Sequence, residues 1–98
     1  MSVRAYQFSS ATCAPCKVIK PALQDLRDEF LEINWFHIDI KNDPDEFAKK
    51  YNVSIVPTLV VELRDSLGNS LSVEKHSGTS IAGYYRIVRN ALRSIQQS

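Results

Sequence analysis

The two cysteines of this chain stand three residues apart, in Cys13-Ala14-Pro15-Cys16. They follow a short apolar run, Val3 to Phe8, that reads as a strand, and they open a helical pattern of apolar residues. Thiols at this spacing can exchange with disulfides, bind a metal or form a staple. The helix start favours exchange. Free N–H groups and the helix dipole stabilise an anion there, and the thiolate is the nucleophilic form of cysteine. Cys13, at the exposed edge, is the natural attacker. Cys16, one turn inward, can reach back, break a mixed disulfide on Cys13 and release reduced substrate. Pro15 lacks an N–H and holds its φ angle, which restricts how the sulfurs are spaced. Zinc would need four ligands, and the other candidates, His37 and His76, fall in expected strands without the paired spacing of a finger. A staple between residues three apart would remove little chain entropy. Neither a metal nor a cofactor is expected beyond the redox-active pair itself.

These thiols must be positioned by a chain of 98 residues, which reads as one domain spanning 1–98. Apolar residues make up 44% and charged residues 23%, an ordinary globular balance that argues against disorder. A formal net charge of +1 gives no general attraction to nucleic acid or anionic lipid. The opening Met1-Ser2-Val3-Arg4-Ala5-Tyr6 has no apolar leader core, and no run is long enough to span a bilayer. The expectation is a cytoplasmic monomer in a reducing compartment, where a close cysteine pair is more often catalytic or metal-binding than structural.

The elements alternate. After the Val3 to Phe8 strand, Cys16, Ile19, Leu23, Leu26 and Phe30 define one apolar helix face, with a kink expected at Pro21. Ile33 to Ile40 is nearly all apolar or aromatic, as in a strand buried on both faces. A second helix should start with Asp43 as cap, Pro44 in the first turn and Glu46 three after the cap. It should run to about Tyr51 and end at a left-handed Asn52. Leu59 to Arg64 and Ser70 to His76 read as a hairpin turning through Asp65-Ser66-Leu67-Gly68-Asn69. Ile81, Tyr84, Val88, Leu92 and Ile95 mark the inner face of a last helix. The order is βαβαββα, an α/β arrangement. A parallel first strand pair and an antiparallel last pair should form a mixed sheet of about four strands with helices on both faces.

Several segments together resemble the thioredoxin superfamily. Cys13-Ala14-Pro15-Cys16-Lys17 is similar to the family's C-G-P-C-K, and Pro21 stands where its active-site helix carries a proline. Lys50-Tyr51-Asn52-Val53 resembles K-Y-G-V, Ile55-Val56-Pro57-Thr58 resembles the I-P-T segment, and Ser77-Gly78-Thr79 resembles V-G-A. The resemblance covers essentially the whole chain in the right order. It implies a three-layer thioredoxin-like sandwich, without the extra N-terminal strand and helix because only twelve residues precede Cys13. It also implies a cis bond before Pro57 and a substrate surface formed by Thr12, Ala14, Pro15, Val56, Pro57 and Gly78. There the backbone of Val56 pairs with an extended substrate segment and Gly78 keeps the surface open.

Three departures matter. Thr12 and Ser9 replace family tryptophans. Gln7 replaces the buried aspartate that manages the resolving thiol's proton, and an amide cannot accept that proton. Asp39, at a strand end, is a candidate substitute, and Lys17 could aid thiolate formation by its charge. Trp35 and His37 read as sheet-face residues, with a proton-handling role for His37 as the alternative. Arg86, Arg89 and Arg93 read as a solvated stripe on the last helix.

By resemblance, the expected function is reduction of protein disulfides, with thioredoxin reductase or glutathione as the electron source. A glutaredoxin-like, glutathione-dependent reductase and a non-catalytic binding subunit of the same fold are the alternatives.

Overall fold

In the computed structural model, which describes residues 1–96, strand β1 (Ser2–Ser9) lies at the centre of the molecule. It is followed by helix α1 (Ala14–Glu29), strand β2 (Asn34–Asp39), the short helix α2 (Phe47–Lys50), strands β3 (Thr58–Arg64) and β4 (Ser70–Ser77), and helix α3 (Ile81–Gln96). The strands form one sheet in the order β2-β1-β3-β4. β1 and β2 run parallel, as a strand–helix–strand unit requires. β1 with β3, and β3 with β4, run antiparallel.

Strand alternation sorts β1 into two faces. Val3 and Ala5 join Leu59, Val61 and Leu63 of β3 on one face, packed against Ile19, Leu23 and Leu26 of α1 and Tyr84, Ile87 and Val88 of α3. Tyr6 and Phe8 join Val60, Ile38 and Tyr51 on the other, beside Phe47 and Ala48 of α2. The result is three layers, with α1 and α3 on one side of the sheet and α2 on the other. Each large side chain buried this way contributes about 1.5–3 kcal/mol, so the two cores hold the sheet from both sides. α1 continues through Pro21. None of the described helices is long and apolar enough to cross a membrane.

Two local expectations are corrected. β2 is not buried on both faces. It pairs only with β1, at the sheet edge, and Asn34, Phe36, His37 and Asp39 are exposed while only Ile38 is fully buried. Its aromatic residues find partial cover. Trp35 packs on the larger core and donates from Nε1 to the Phe30 carbonyl at 3.0 Å, and Phe36 stacks on Tyr6. The second helix does not begin at Pro44. Glu46 adopts a left-handed φ of 55°, which breaks the expected capping box, and only Phe47–Lys50 is helical. Glu46 takes the cap position, while the Asp43 carboxylate accepts N–H bonds from Phe47 at 3.0 Å and Ala48 at 2.9 Å. Asn52, at φ 56°, ends the segment as expected.

The β3–β4 turn follows its composition. The Asp65 carboxylate accepts from the N–H groups of Leu67 and Asn69, both at 2.9 Å, and Gly68 takes a φ of 85°. Behind it, β3 carries a buried carboxylate. Glu62 is 3% exposed and accepts from Tyr51 Oη at 3.0 Å and from Arg64 Nε at 2.7 Å. Burial alone would raise the Glu62 pKa, but these bonds outweigh it and hold the carboxyl below the usual glutamate range.

Candidate active site

The turn from β1 into α1 is closed by a bond from the Cys13 N–H to the Ser10 carbonyl at 3.1 Å. Cys13 is extended (φ −95°, ψ 109°) and caps α1. Its sulfur accepts from the Cys16 N–H at 3.1 Å, and Pro15, which has no N–H to satisfy, sits in the first turn. Cys13 and Cys16 are joined as a disulfide with Cα atoms 5.2 Å apart. Thr12, Ala14 and Pro15 are exposed around it, Cys13 is half-buried, and Cys16 is only 8% exposed. An incoming group therefore meets Cys13 first.

A second segment faces the disulfide. The Val56 carbonyl oxygen lies 3.8 Å from Cys13 Sγ, and the Val56–Pro57 peptide bond is cis. This segment is tied down from below. Thr58 Oγ1 donates to the Ile55 carbonyl at 2.8 Å and contacts Ser77 Oγ at 2.6 Å. The Gly78 N–H donates to the Pro57 carbonyl at 3.1 Å. Tyr84, wholly buried at the start of α3, donates its hydroxyl to the Gly78 carbonyl at 2.5 Å and lies 3.5 Å from the Pro57 carbonyl. Gly78 has a φ of 100°, which disfavours any side chain, and the space a Cβ would fill is open. Cys13, Cys16, Val56, Pro57 and Gly78 thus meet in space although far apart in sequence.

Beside the disulfide lies a cavity of about 250 Å³, lined by Cys16 with Ser9, Lys17, Lys20, His37 and Asp39, and by Ser10 and Ala11. Ser9 Oγ and His37 Nε2 are hydrogen-bonded at 2.5 Å. The Asp39 carboxylate accepts from the Lys41 N–H at 3.0 Å, and the Lys41 ammonium donates to Thr12 Oγ1 at 2.9 Å. Of the residues considered for proton handling, Lys17 and Asp39 share this cavity with Cys16. Gln7 is half-buried beside His37 in the β1–β2 register and is not among the lining residues. Sequence reasoning missed three contributors. Lys20 carries no motif, Ser9 reads only as the replacement of a family tryptophan, and Tyr84 reads as an ordinary inner-face residue of its helix. His37 had a usable signal, its alternation with Asp39 on one face of β2. Among the described residues, no cluster of three or more His, Cys, Asp or Glu side chains could hold a metal ion.

Chemically, the arrangement offers a dithiol that can open and close, an accessible and an inaccessible sulfur, and a fixed backbone acceptor beside the accessible one. Comparison with known proteins places the chain in a family. A family model described as Thioredoxin matches residues 5–83. Thioredoxin H2 of Arabidopsis thaliana is 37% identical over 57 residues, which is 58% of this chain and 42% of the relative. A thioredoxin of Mycoplasma genitalium is 35% identical over 54 residues, covering 55% of this chain and 52% of the relative. The chain spans about half the length of such curated relatives. Among solved structures, oxidised mitochondrial thioredoxin 3 of Saccharomyces cerevisiae superposes with a TM-score of 0.76 at 24% identity, covering 91% of this chain and 78% of that one. That likeness is one of fold.

Proposed function

Because this chain belongs to the thioredoxin family, we propose that it is a thiol-disulfide oxidoreductase that reduces protein disulfides through Cys13 and Cys16. The observation that carries the reading is the half-exposed Cys13 at the N-cap of α1, facing the Val56 carbonyl, with Cys16 shielded behind it. In the reduced protein the Cys13 thiolate, favoured by the helix N-terminus, attacks a substrate disulfide and forms a mixed disulfide. Cys16 then attacks Cys13 Sγ. The Cys13–Cys16 bond forms and the second substrate thiol leaves. Val56 and Pro57 offer backbone to an extended substrate segment, which binds by strand addition. Thr12, Ala14, Pro15 and Gly78 form the rim of that surface.

The partners are disulfide-containing proteins and a reducing system, either thioredoxin reductase or glutathione. Nucleic acid and membrane play no part, and the chemistry needs no cofactor beyond the cysteine pair itself. The protein works as a cytoplasmic monomer. Insulin disulfide reduction tests this directly. Turnover driven by thioredoxin reductase is the expected result. Turnover with glutathione alone would indicate a glutaredoxin-like reductase, and inertness with both would indicate a binding subunit and refute the oxidoreductase reading.

A further inference from the structure

We propose that Ser9 and His37 form a proton relay that takes the proton from Cys16 during the resolving step. This rests on the oxidoreductase reading above. Once a mixed disulfide stands on Cys13, Cys16 must become a thiolate to attack it, and burial favours the protonated thiol. Cys16 is 8% exposed, and its opening is the 250 Å³ cavity, which at about 30 Å³ per water has room for several. The proton therefore leaves by way of the groups that line it.

Those groups can be sorted by what they can accept. Lys17 and Lys20 of α1 are ammoniums and accept nothing. Gln7, side by side with His37 across the β1–β2 pair, is an amide and accepts no proton. Two groups remain, both on the cavity side of β2. Asp39 is turned toward its own loop by the bond from the Lys41 N–H. Imidazole, moreover, is the side chain most often used as a general base near neutral pH. His37 is already engaged by Ser9. With the hydroxyl donating to Nε2, Ser9 can pass its own proton to the ring while taking one from the cavity, so the 2.5 Å bond becomes the last link of a path from Cys16 to the imidazole.

The step balances. The Cys16 S–H loses its proton through the cavity to Ser9, and the Ser9 proton moves to His37. The Cys16 thiolate attacks Cys13 Sγ, and the bond from Cys13 to the substrate sulfur breaks. That sulfur leaves as a thiolate with the electron pair. The dithiol is oxidised, the substrate disulfide is reduced, and the imidazolium returns its proton to water or to the departing thiolate.

The test uses stopped-flow reaction of the reduced protein with 5,5′-dithiobis(2-nitrobenzoate). The first thiol it releases reports attack by Cys13, and the second reports attack by Cys16. The departing aryl thiolate needs no proton, so the second phase isolates the loss of the Cys16 proton. Between about pH 5 and 9 the wild-type second phase should show an inflection. His37→Gln should remove that inflection, slow the second phase at least tenfold near pH 7, and converge with wild type at high pH, where Cys16 ionises unaided. Ser9→Ala should slow the same phase, and free imidazole should restore part of the rate to His37→Ala. Second-phase profiles that superimpose, or a slowing by one constant factor at every pH, would overturn the relay while leaving the oxidoreductase reading standing. A wild-type protein that releases a single equivalent would overturn both.

Discussion

Tyr84 is where the core of this protein reaches its candidate site, and Tyr84→Phe separates the two contributions of that side chain. The ring is fully buried in the larger core and stands edge-on to His76 at 4.6 Å. Phenylalanine keeps this packing and opens no cavity. Only the hydroxyl is lost. Burial pushes its pKa up to about 12, so it remains a donor throughout the working pH range. It bonds the Gly78 carbonyl at 2.5 Å and lies at the limit of bonding distance, 3.5 Å, from the Pro57 carbonyl. The Pro57 carbonyl keeps its second donor, the Gly78 N–H, whereas the Gly78 carbonyl loses the Tyr84 bond. A net hydrogen bond is about 1 kcal/mol and an orphaned buried acceptor about 1–3 kcal/mol. Gly78 is half-buried, so water recovers part of this and the cost should be about 1–2 kcal/mol. For a domain of this size that is roughly 4–16 °C in Tm. Urea unfolding at neutral pH measures the stability. Insulin reduction should show a raised KM, because the Val56–Pro57 and Gly78 segments lose their common anchor, while the first-phase rate with the small aryl disulfide should change little. Equal unfolding midpoints together with an equal KM would refute the reasoning.

Other consequences can be checked as directly. Cys16→Ser should accumulate mixed disulfides with substrate and Cys13→Ser should not; equal trapping in gel analysis would count against the assignment of attacker and resolver. Limited alkylation of the reduced protein should label the half-exposed Cys13 before Cys16, read by peptide mass mapping. The Glu62 carboxyl has a pKa lower in the folded than in the unfolded chain, so its stabilisation is present above about pH 4.3 and is lost as the pH falls through the folded value. Arg64→Met should cost about 2–4 kcal/mol at neutral pH, because a buried carboxylate is left with only the neutral Tyr51 and Ser70 hydroxyls, and the penalty should shrink near pH 4 as that carboxyl protonates; a penalty that is constant in urea titrations at both pH values would contradict this. Gly83→Ala would drive its Cβ into the His76 ring, and should lower the unfolding midpoint and break the 3.0 Å bond between His76 Nε2 and the Ser80 carbonyl, visible as a shifted imidazole resonance.

The local rules of this chain can be read from its residues alone. Apolar spacing places α1 and α3. Asp65 and Gly68 mark the hairpin turn, Asn52 a left-handed stop, and the C-x-x-C at a helix start the redox pair, since each depends on neighbours a few residues away. Asp43 still binds the first free N–H groups of α2, as its type suggests, although Glu46 takes the cap position. What misleads is a pattern whose meaning depends on partners. Ile33 to Ile40 is apolar enough for an inner strand, yet β2 lies at the sheet edge, because strand order is set by which strands pair and no residue within β2 encodes that. The same pairing decides the candidate site. Residues 13, 56 and 78 are separated by long stretches of chain, and only the antiparallel register of β3 with β4 and the Tyr84 anchor bring the last two together opposite Cys13. The parallel register of β1 with β2 likewise places His37 beside Gln7 and within reach of Ser9, on the face that opens toward Cys16. Chemistry confined to one helical turn is written in adjacent residues. A proton path across two strands exists only once backbone hydrogen bonds have fixed which side chains are neighbours.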